Sequence, residues 1–219
     1  NHKWRKEFCT KYKKRILEKY NKKFMVLLRV EMCQNEETLK ILKNAGAFRI
    51  FFGVESGDEA QRREVLDRKM TDATIQKAFD NCRKNGLETL AVNIIGFPNE
   101  TEEMIKKTIK LNRKLKVTSS GVNVFYPYKG TPLGDHCFEN DLVDLDKFNN
   151  FSNERRESSL KFSEKHHKMI DKYYRNWAFL VHPVYTYIGL HVRYIKYRDI
   201  ILKKLGIYEF AKNAYRRQK

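Results

Sequence analysis

Four apolar runs of strand length, Phe24–Glu31, Phe48–Val54, Thr89–Ile95 and Gly121–Tyr126, alternate with segments whose apolar residues recur every three to four positions. Between the first two runs, Leu39, Leu42 and Ala45 share one helical face, with Asn35 placed to cap it and Gly46 to end it. After the second run, Thr71 or Asp72 opens a helix carrying Ile75, Ala78, Phe79 and Cys82, and Gly86 stops it. After the third, Thr101 caps a helix with Glu102 and Glu103 in its first turn, where the helix dipole favours anions. Met104, Ile105, Thr108, Ile109 and Leu115 then follow the helical period.

The runs are mostly apolar rather than alternating, as expected for a parallel sheet covered by helices. Strand–helix alternation of this kind implies βα units with right-handed crossovers. Four such strands make about half to two-thirds of a barrel, or a small open sheet. Residues 3–23 read as a basic amphipathic helix, 152–175 as a long polar helix, and 177–213 as an aromatic and basic helical region.

A length of 219 residues at 41% hydrophobic suffices for one large domain with a real core. Charge placement changes the picture more. Residues 1–23 hold ten Lys/Arg against two Glu, 24–153 nineteen against nineteen acids, and 154–219 sixteen against six. A neutral middle with basic flanks suggests a ligand-binding or catalytic core with charged helices appended. Those flanks are either solvated or turned toward nucleic acid or anionic lipid. The longest apolar stretch, Ala178 to Val192, contains Pro183, His182 and His191 and is too short and polar to span a bilayer. No signal peptide is visible, and the expectation is a cytoplasmic protein. Cys9, Cys33, Cys82 and Cys137 show no CxxC spacing, which argues neither for zinc nor for a disulfide framework.

Candidate chemistry gathers where strands end, the edge at which parallel α/β sheets hold ligands. Glu55 offers acceptors for hydroxyls or an ammonium and Ser56 adds a hydroxyl, while Gly53 allows close approach to the backbone. The plainer reading is a turn in which Glu55 caps the next helix. Ile94 and Gly96 close the third strand, where backbone groups could meet a purine edge, or simply form a tight βα turn. Arg68 and Lys69 fall in the loop between the second strand and the helix that starts at Thr71 or Asp72, suited to a carboxylate or to surface pairing. Arg29 and Glu31 either face a barrel interior or form a buried pair with each other, and Tyr126 either stacks on a base or packs a turn.

None of these is specific alone, but their order resembles the C-terminal half of the radical S-adenosylmethionine (SAM) superfamily. The likeness is to the branch with an N-terminal cobalamin-binding domain. It runs through Leu28-Arg29-Val30-Glu31, Phe52-Gly53-Val54-Glu55-Ser56-Gly57 and Val65-Leu66-Asp67-Arg68-Lys69-Met70-Thr71. It continues in Asn93-Ile94-Ile95-Gly96-Phe97-Pro98-Asn99-Glu100-Thr101 and Tyr126-Pro127-Tyr128-Lys129-Gly130-Thr131-Pro132, covering roughly residues 24–140.

The resemblance implies the C-terminal part of a partial (βα)6 TIM-like barrel, residues 24–140, after a basic helix at 1–23 and before a helical extension at 141–219. It implies SAM as cofactor, with Glu55 and Ser56 toward the ribose and Arg68 or Lys69 toward the carboxylate. Asn93, Ile94 and Gly96 would then border the adenine, Tyr126 the last-strand wall, and Arg29 and Glu31 the substrate or barrel interior. It implies a [4Fe–4S] cluster and, in some members, cobalamin. The family's CxxxCxxC triplet does not occur in this sequence. The expectation is therefore a piece of a longer enzyme, inactive alone, completed by an N-terminal half that holds the cluster and cobalamin. Reductive SAM cleavage and C–H functionalisation of a small molecule or lipid, such as methyl transfer, would be its activity. A basic RNA-modifying or nucleic-acid-binding protein and a non-catalytic interaction module are the alternative readings.

Overall fold

The computed structural model describes residues 2–150, 154–182 and Gly206. The chain divides into two compact units, Asn1–Arg175 and Asn176–Lys219. Most of the aromatic and basic region expected at 177–213 lies outside the described residues.

The first unit is built on four parallel strands in the order β1-β2-β3-β4. Helix α1 (His2–Tyr12) continues through a π-helical turn (Lys13–Leu17) and a last short helix, α2 (Glu18–Tyr20). Then follow β1 (Phe24–Leu27), a 3-10 turn (Val30–Cys33), α3 (Glu36–Asn44) and β2 (Ala47–Glu55). Next come α4 (Glu59–Glu64), α5 (Asp72–Lys84), β3 (Glu88–Ile95), α6 (Glu102–Leu115) and β4 (Ser119–Val124). Beyond the sheet lie α7 (Pro132–Glu139), α8 (Leu145–Phe148) and α9 (Glu164–Val181). The caps expected at Asn35, Thr71 and Thr101 accept from the backbone N–H groups of Glu37, Thr74 and Met104.

The strands do alternate in burial. Ile50, Phe52 and Val54 of β2, and Ala91 and Ile95 of β3, are sealed under the helices. Phe52 packs against Phe79 of α5, the rings tilted by 42° with centroids 4.8 Å apart, beside Ile75, Ala78 and Cys82. Each large apolar side chain buried this way contributes roughly 2–3 kcal/mol. The opposite face is only partly covered: Met25 is 49% and Leu27 71% exposed, and Phe51, Leu90, Val92 and Ile94 are half-buried. Parallel pairing aligns Leu27, Phe51 and Leu90 across this face, with Gly53, Val92 and Gly121 in the next row. The apolar runs therefore supply two faces, of which one is left open.

Two expected elements are corrected. The first strand does not reach Glu31: it ends at Leu27, and Val30–Cys33 turns so that Val30 and Cys33 tuck beneath α5. Asn81 Nδ2 donates to Cys33 O at 2.9 Å and fixes that turn. The helix expected over 152–175 begins only at Glu164. Residues before it run against β4, where Val124 N donates to Arg155 O at 2.8 Å and Leu160 bridges Val143. A free strand edge has backbone groups to satisfy, and that demand outweighs the helical propensity of the Glu/Arg run.

Candidate functional site at the strand ends

The open face and the C-terminal strand edge meet at Glu55. Its backbone is left-handed, with φ 65°, and a register shift between Gly53 and Glu55 breaks the ladder to β3. The side chain folds back over Gly53: a Cβ there would stand 2.3 Å from Glu55 Oε1. Only glycine leaves room for the carboxylate in this position. Arg68 Nη2 donates to Glu55 Oε1 at 3.2 Å, the glutamate side chain being 15% and the arginine 41% exposed. Burial raises the Glu55 pKa, and the Arg68 charge opposes the rise. This acid and cation therefore border the open face with modest mutual commitment.

Ser56 turns the other way. It is fully buried, its hydroxyl donates to Gln61 Oε1 at 2.7 Å, and it accepts from Asp58 N. Asp58, not Glu55, caps α4, accepting from Gln61 N at 3.0 Å, and Lys107 from α6 binds its other oxygen. Lys69 is exposed beside Arg68.

Asn93 lies on the helix-covered face, in a buried amide cluster. Its Nδ2 donates to Gly121 O at 3.0 Å and Ser120 Oγ at 3.1 Å, while Asn112 Nδ2 donates to its Oδ1 at 2.9 Å. Ile94 is on the open face. Gly96 adopts φ 82° against Ile170 and Val124. Tyr126 is buried, its hydroxyl donating to Phe148 O at 2.8 Å, with the Tyr128 and Phe148 rings 4.9 and 5.0 Å away. Arg29 and Glu31 are exposed and pair with each other at 3.4 Å.

Thus Glu55, Arg68 and Ile94 share the open face at the strand ends. The side chains of Ser56, Asn93 and Tyr126 are committed to the scaffold behind and beside it.

Two functional-grade residues escaped the sequence reading. Arg62 is completely buried, donating to Ser56 O at 2.7 Å, to Met70 O at 3.4 Å and to Asp72. Its own carbonyl accepts from Arg68 N at 2.7 Å, so it anchors the loop that carries Arg68. Glu100 is 1% exposed and accepts from Gly96 N, while its Oε1 makes no close hydrogen bond. Burial pushes its pKa to about 8, against the opposing pull of the Gly96 and Phe97 amides and of Gln61. Gln61 therefore stands between Ser56 at the end of β2 and Glu100 beyond β3. A short-range signal existed only for Glu100, four residues after Gly96 and just before the Thr101 cap.

The donor set suits one of the two implied groups. An acceptor pair on Glu55, a guanidinium on Arg68 and the apolar Val92 and Ile94 beside the uncrowded Gly121 fit a ribose, a carboxylate and a purine. An iron–sulfur cluster needs thiolates that converge. The four cysteines are all buried, in α1, the turn after β1, α5 and α7, and burial raises the Cys9 and Cys137 thiols. The free thiol of Cys82 is hydrogen-bonded to that of Cys33 in the core, and this and burial raise it too. Among the described residues no group of three His, Cys, Asp or Glu is placed to hold a metal. These residues do not fit the cluster.

Residues 5–111 match the model of the Radical SAM superfamily. An uncharacterized methyltransferase of Pyrococcus horikoshii is 33% identical over 109 residues, covering 50% of this chain and 24% of the relative. The anaerobic magnesium-protoporphyrin IX monomethyl ester cyclase of Rubrivivax gelatinosus is 23% identical over 81% of this chain and 32% of its own. A Clostridium botulinum biotin synthase is 34% identical over 44% and 30%. The chain thus spans about a quarter to a third of the length of these relatives.

Among solved structures, the methyltransferase TsrM of Kitasatospora setae, with cobalamin and a [4Fe-4S] cluster bound, superimposes with TM-score 0.52 at 20% identity. It covers 62% of this chain and 27% of its own. Coproporphyrinogen III oxidase of Escherichia coli, a radical SAM enzyme, gives TM-score 0.54 at 17% identity over 80% and 36%. These likenesses show the fold, the strand-and-helix arrangement of a TIM-like barrel. No described helix is long and apolar enough to cross a membrane.

Proposed function

We propose that this chain is part of a radical SAM enzyme and forms the SAM-contacting wall of a protein that functionalises a C–H bond of a small molecule, methyl transfer being the favoured form. The observation that carries this reading is the Glu55 carboxylate laid over Gly53 on the open face, with Arg68 against it at the strand ends. Glu55 would accept from the two ribose hydroxyls, a contact a single carboxylate can make with both oxygens. Arg68 would shift part of its charge from Glu55 to the methionine carboxylate, a charge-assisted bond. Ile94 and the backbone at Gly96 would border the adenine. SAM supplies the activated methyl group and the adenosyl moiety. Lys69, beside Arg68, adds positive potential at the mouth, and Tyr126 closes the β4 side.

Ser56 and Asn93 would act as positioning residues, the first through Gln61 and Asp58, the second by tying β3 to β4 and α6. The proposal extends to a cluster and a cobalamin contributed from outside these residues, and to a cytoplasmic setting. Methyltransferase chemistry draws its support from the Pyrococcus relative.

S-adenosylhomocysteine titrated into the protein, followed through backbone amide shifts, tests the reading. Saturable shifts confined to residues 53–57, 68–69 and 94–97 are expected. Glu55→Gln and Arg68→Gln should each weaken binding by about tenfold, the equivalent of roughly 1.4 kcal/mol. Absent shifts, or shifts centred elsewhere, overturn it.

A further inference from the structure

Away from the strand-end site, a cleft of about 310 Å³ opens between α8, the segment before α9 and α9 itself. Lys147, Arg156, His167, Lys168 and Arg175 border it. Glu157 and Asp171 border it too, but Asp171 is already bonded to Arg175 at 2.5 Å. Arg156 forms no ion pair or hydrogen bond among the described residues, and Lys147 reaches Asp144 only at 3.7 Å. Positive potential in this cleft is therefore incompletely neutralised.

Behind it lies a chamber of about 40 Å³ that shares Lys147, Glu157 and Ser158 with the cleft and adds Tyr126 and Ser159. Ser159 is 2% exposed, and among the described residues its hydroxyl has no hydrogen-bond partner. A buried hydroxyl left unpaired is costly, so such groups are ordinarily matched by a ligand or water.

Lys147 is itself aimed. Its Nζ lies 3.3 Å from His167 Nε2. An ammonium can only donate, so Nε2 accepts and the ring proton sits on Nδ1.

We propose that this cleft and chamber form an anion subsite that takes the phosphate group of a small molecule, with Lys147 and Arg156 supplying charge and Ser159 a hydroxyl donor. Tyr126 borders the chamber and lies two residues past the end of β4, so a molecule held here by its phosphate extends toward the last strand of the sheet. Its role as the substrate's anchor rests on the function proposed above; phosphate binding itself does not.

The test is a titration of inorganic phosphate into the full 219-residue chain at constant ionic strength, without SAM, following the amides of Ser158, Ser159 and Leu160. Saturable shifts are expected there. Lys147→Gln combined with Arg156→Gln, both exposed positions, should raise Kd by about tenfold or more. Ser159→Ala, which breaks no bond in the fold, should raise it about threefold. Lys13→Gln combined with Lys23→Gln removes the same charge elsewhere and should leave Kd unchanged. Glycerol phosphate should compete, and acetate should bind more weakly. Non-saturable shifts, equal loss in the Lys13/Lys23 variant, or binding of a single-stranded RNA oligonucleotide but not of phosphate each overturn the proposal. Failure here leaves S-adenosylhomocysteine binding untouched, and the reverse also holds.

Discussion

The ends of β2 and β3 each carry a glutamate, and the two are treated in opposite ways. Glu55 keeps a share of solvent and an arginine partner, and it faces the open side of the sheet. Glu100 is sealed, has no cation beside it among the described residues, and holds the Gly96 backbone in place. Burial raises the pKa of both, but only Glu100 is driven to about 8. A carboxylate with water and a cation nearby remains free to exchange partners with a ligand. A carboxyl without either keeps its proton and becomes part of the frame. The two strand ends are thus a presenting edge and a bracing edge, joined through Gln61.

The contrast fails most visibly if the bracing is removed. Arg62→Met would take away the buried cation held by Ser56 O, Met70 O and Asp72 and strand the groups it serves. A loss of about 3–5 kcal/mol in urea unfolding is expected. A loss below about 1 kcal/mol, the range of surface pairs, would mean that the arginine braces nothing.

Glu100→Gln sharpens the comparison through pH. The folded state holds the Glu100 proton more tightly than the unfolded chain, whose value is the ordinary 4.5. Stability from this group is full below about pH 4.5, declines as pH rises toward about 8, and levels off beyond. Wild type should therefore lose stability across that window and Glu100→Gln should lose less. The gap should reach a few kcal/mol by pH 9, since each pKa unit carries about 1.4 kcal/mol. Parallel stability curves for the two proteins would show that Glu100 titrates normally. Glu55→Gln is the smallest effect on the fold, within about 1 kcal/mol for a partly exposed pair. If it destabilised as much as Arg62→Met, Glu55 would belong to the frame and not to the presenting edge.

Much of the sheet was legible locally. The four apolar runs, the caps at Asn35, Thr71 and Thr101, and the crossover helices rest on interactions within a few residues, which sequence spacing records directly. Glu55 and Arg68, thirteen positions apart, were each visible as candidates, yet their pairing over Gly53 was not. That contact depends on a left-handed residue and a register shift. Arg62 looked like one basic residue in a charged helix; its burial follows from the Asp72 and Met70 loop closing over it. Ser56 was read from type and position at a strand end and Asn93 from the resemblance, but which way a side chain turns there is set by what packs on each face. Arg29 and Glu31 were misplaced on the strand because the apolar run continues past Leu27, while the backbone turns to seat Val30 and Cys33.

The sequence alone determined the parallel βα order, since hydrophobic period and capping chemistry are local properties of the chain. Only the tertiary structure decided which face of the sheet stays open, which glutamate presents and which one braces. Those outcomes depend on desolvation and on partners brought together from distant segments, which no local pattern encodes.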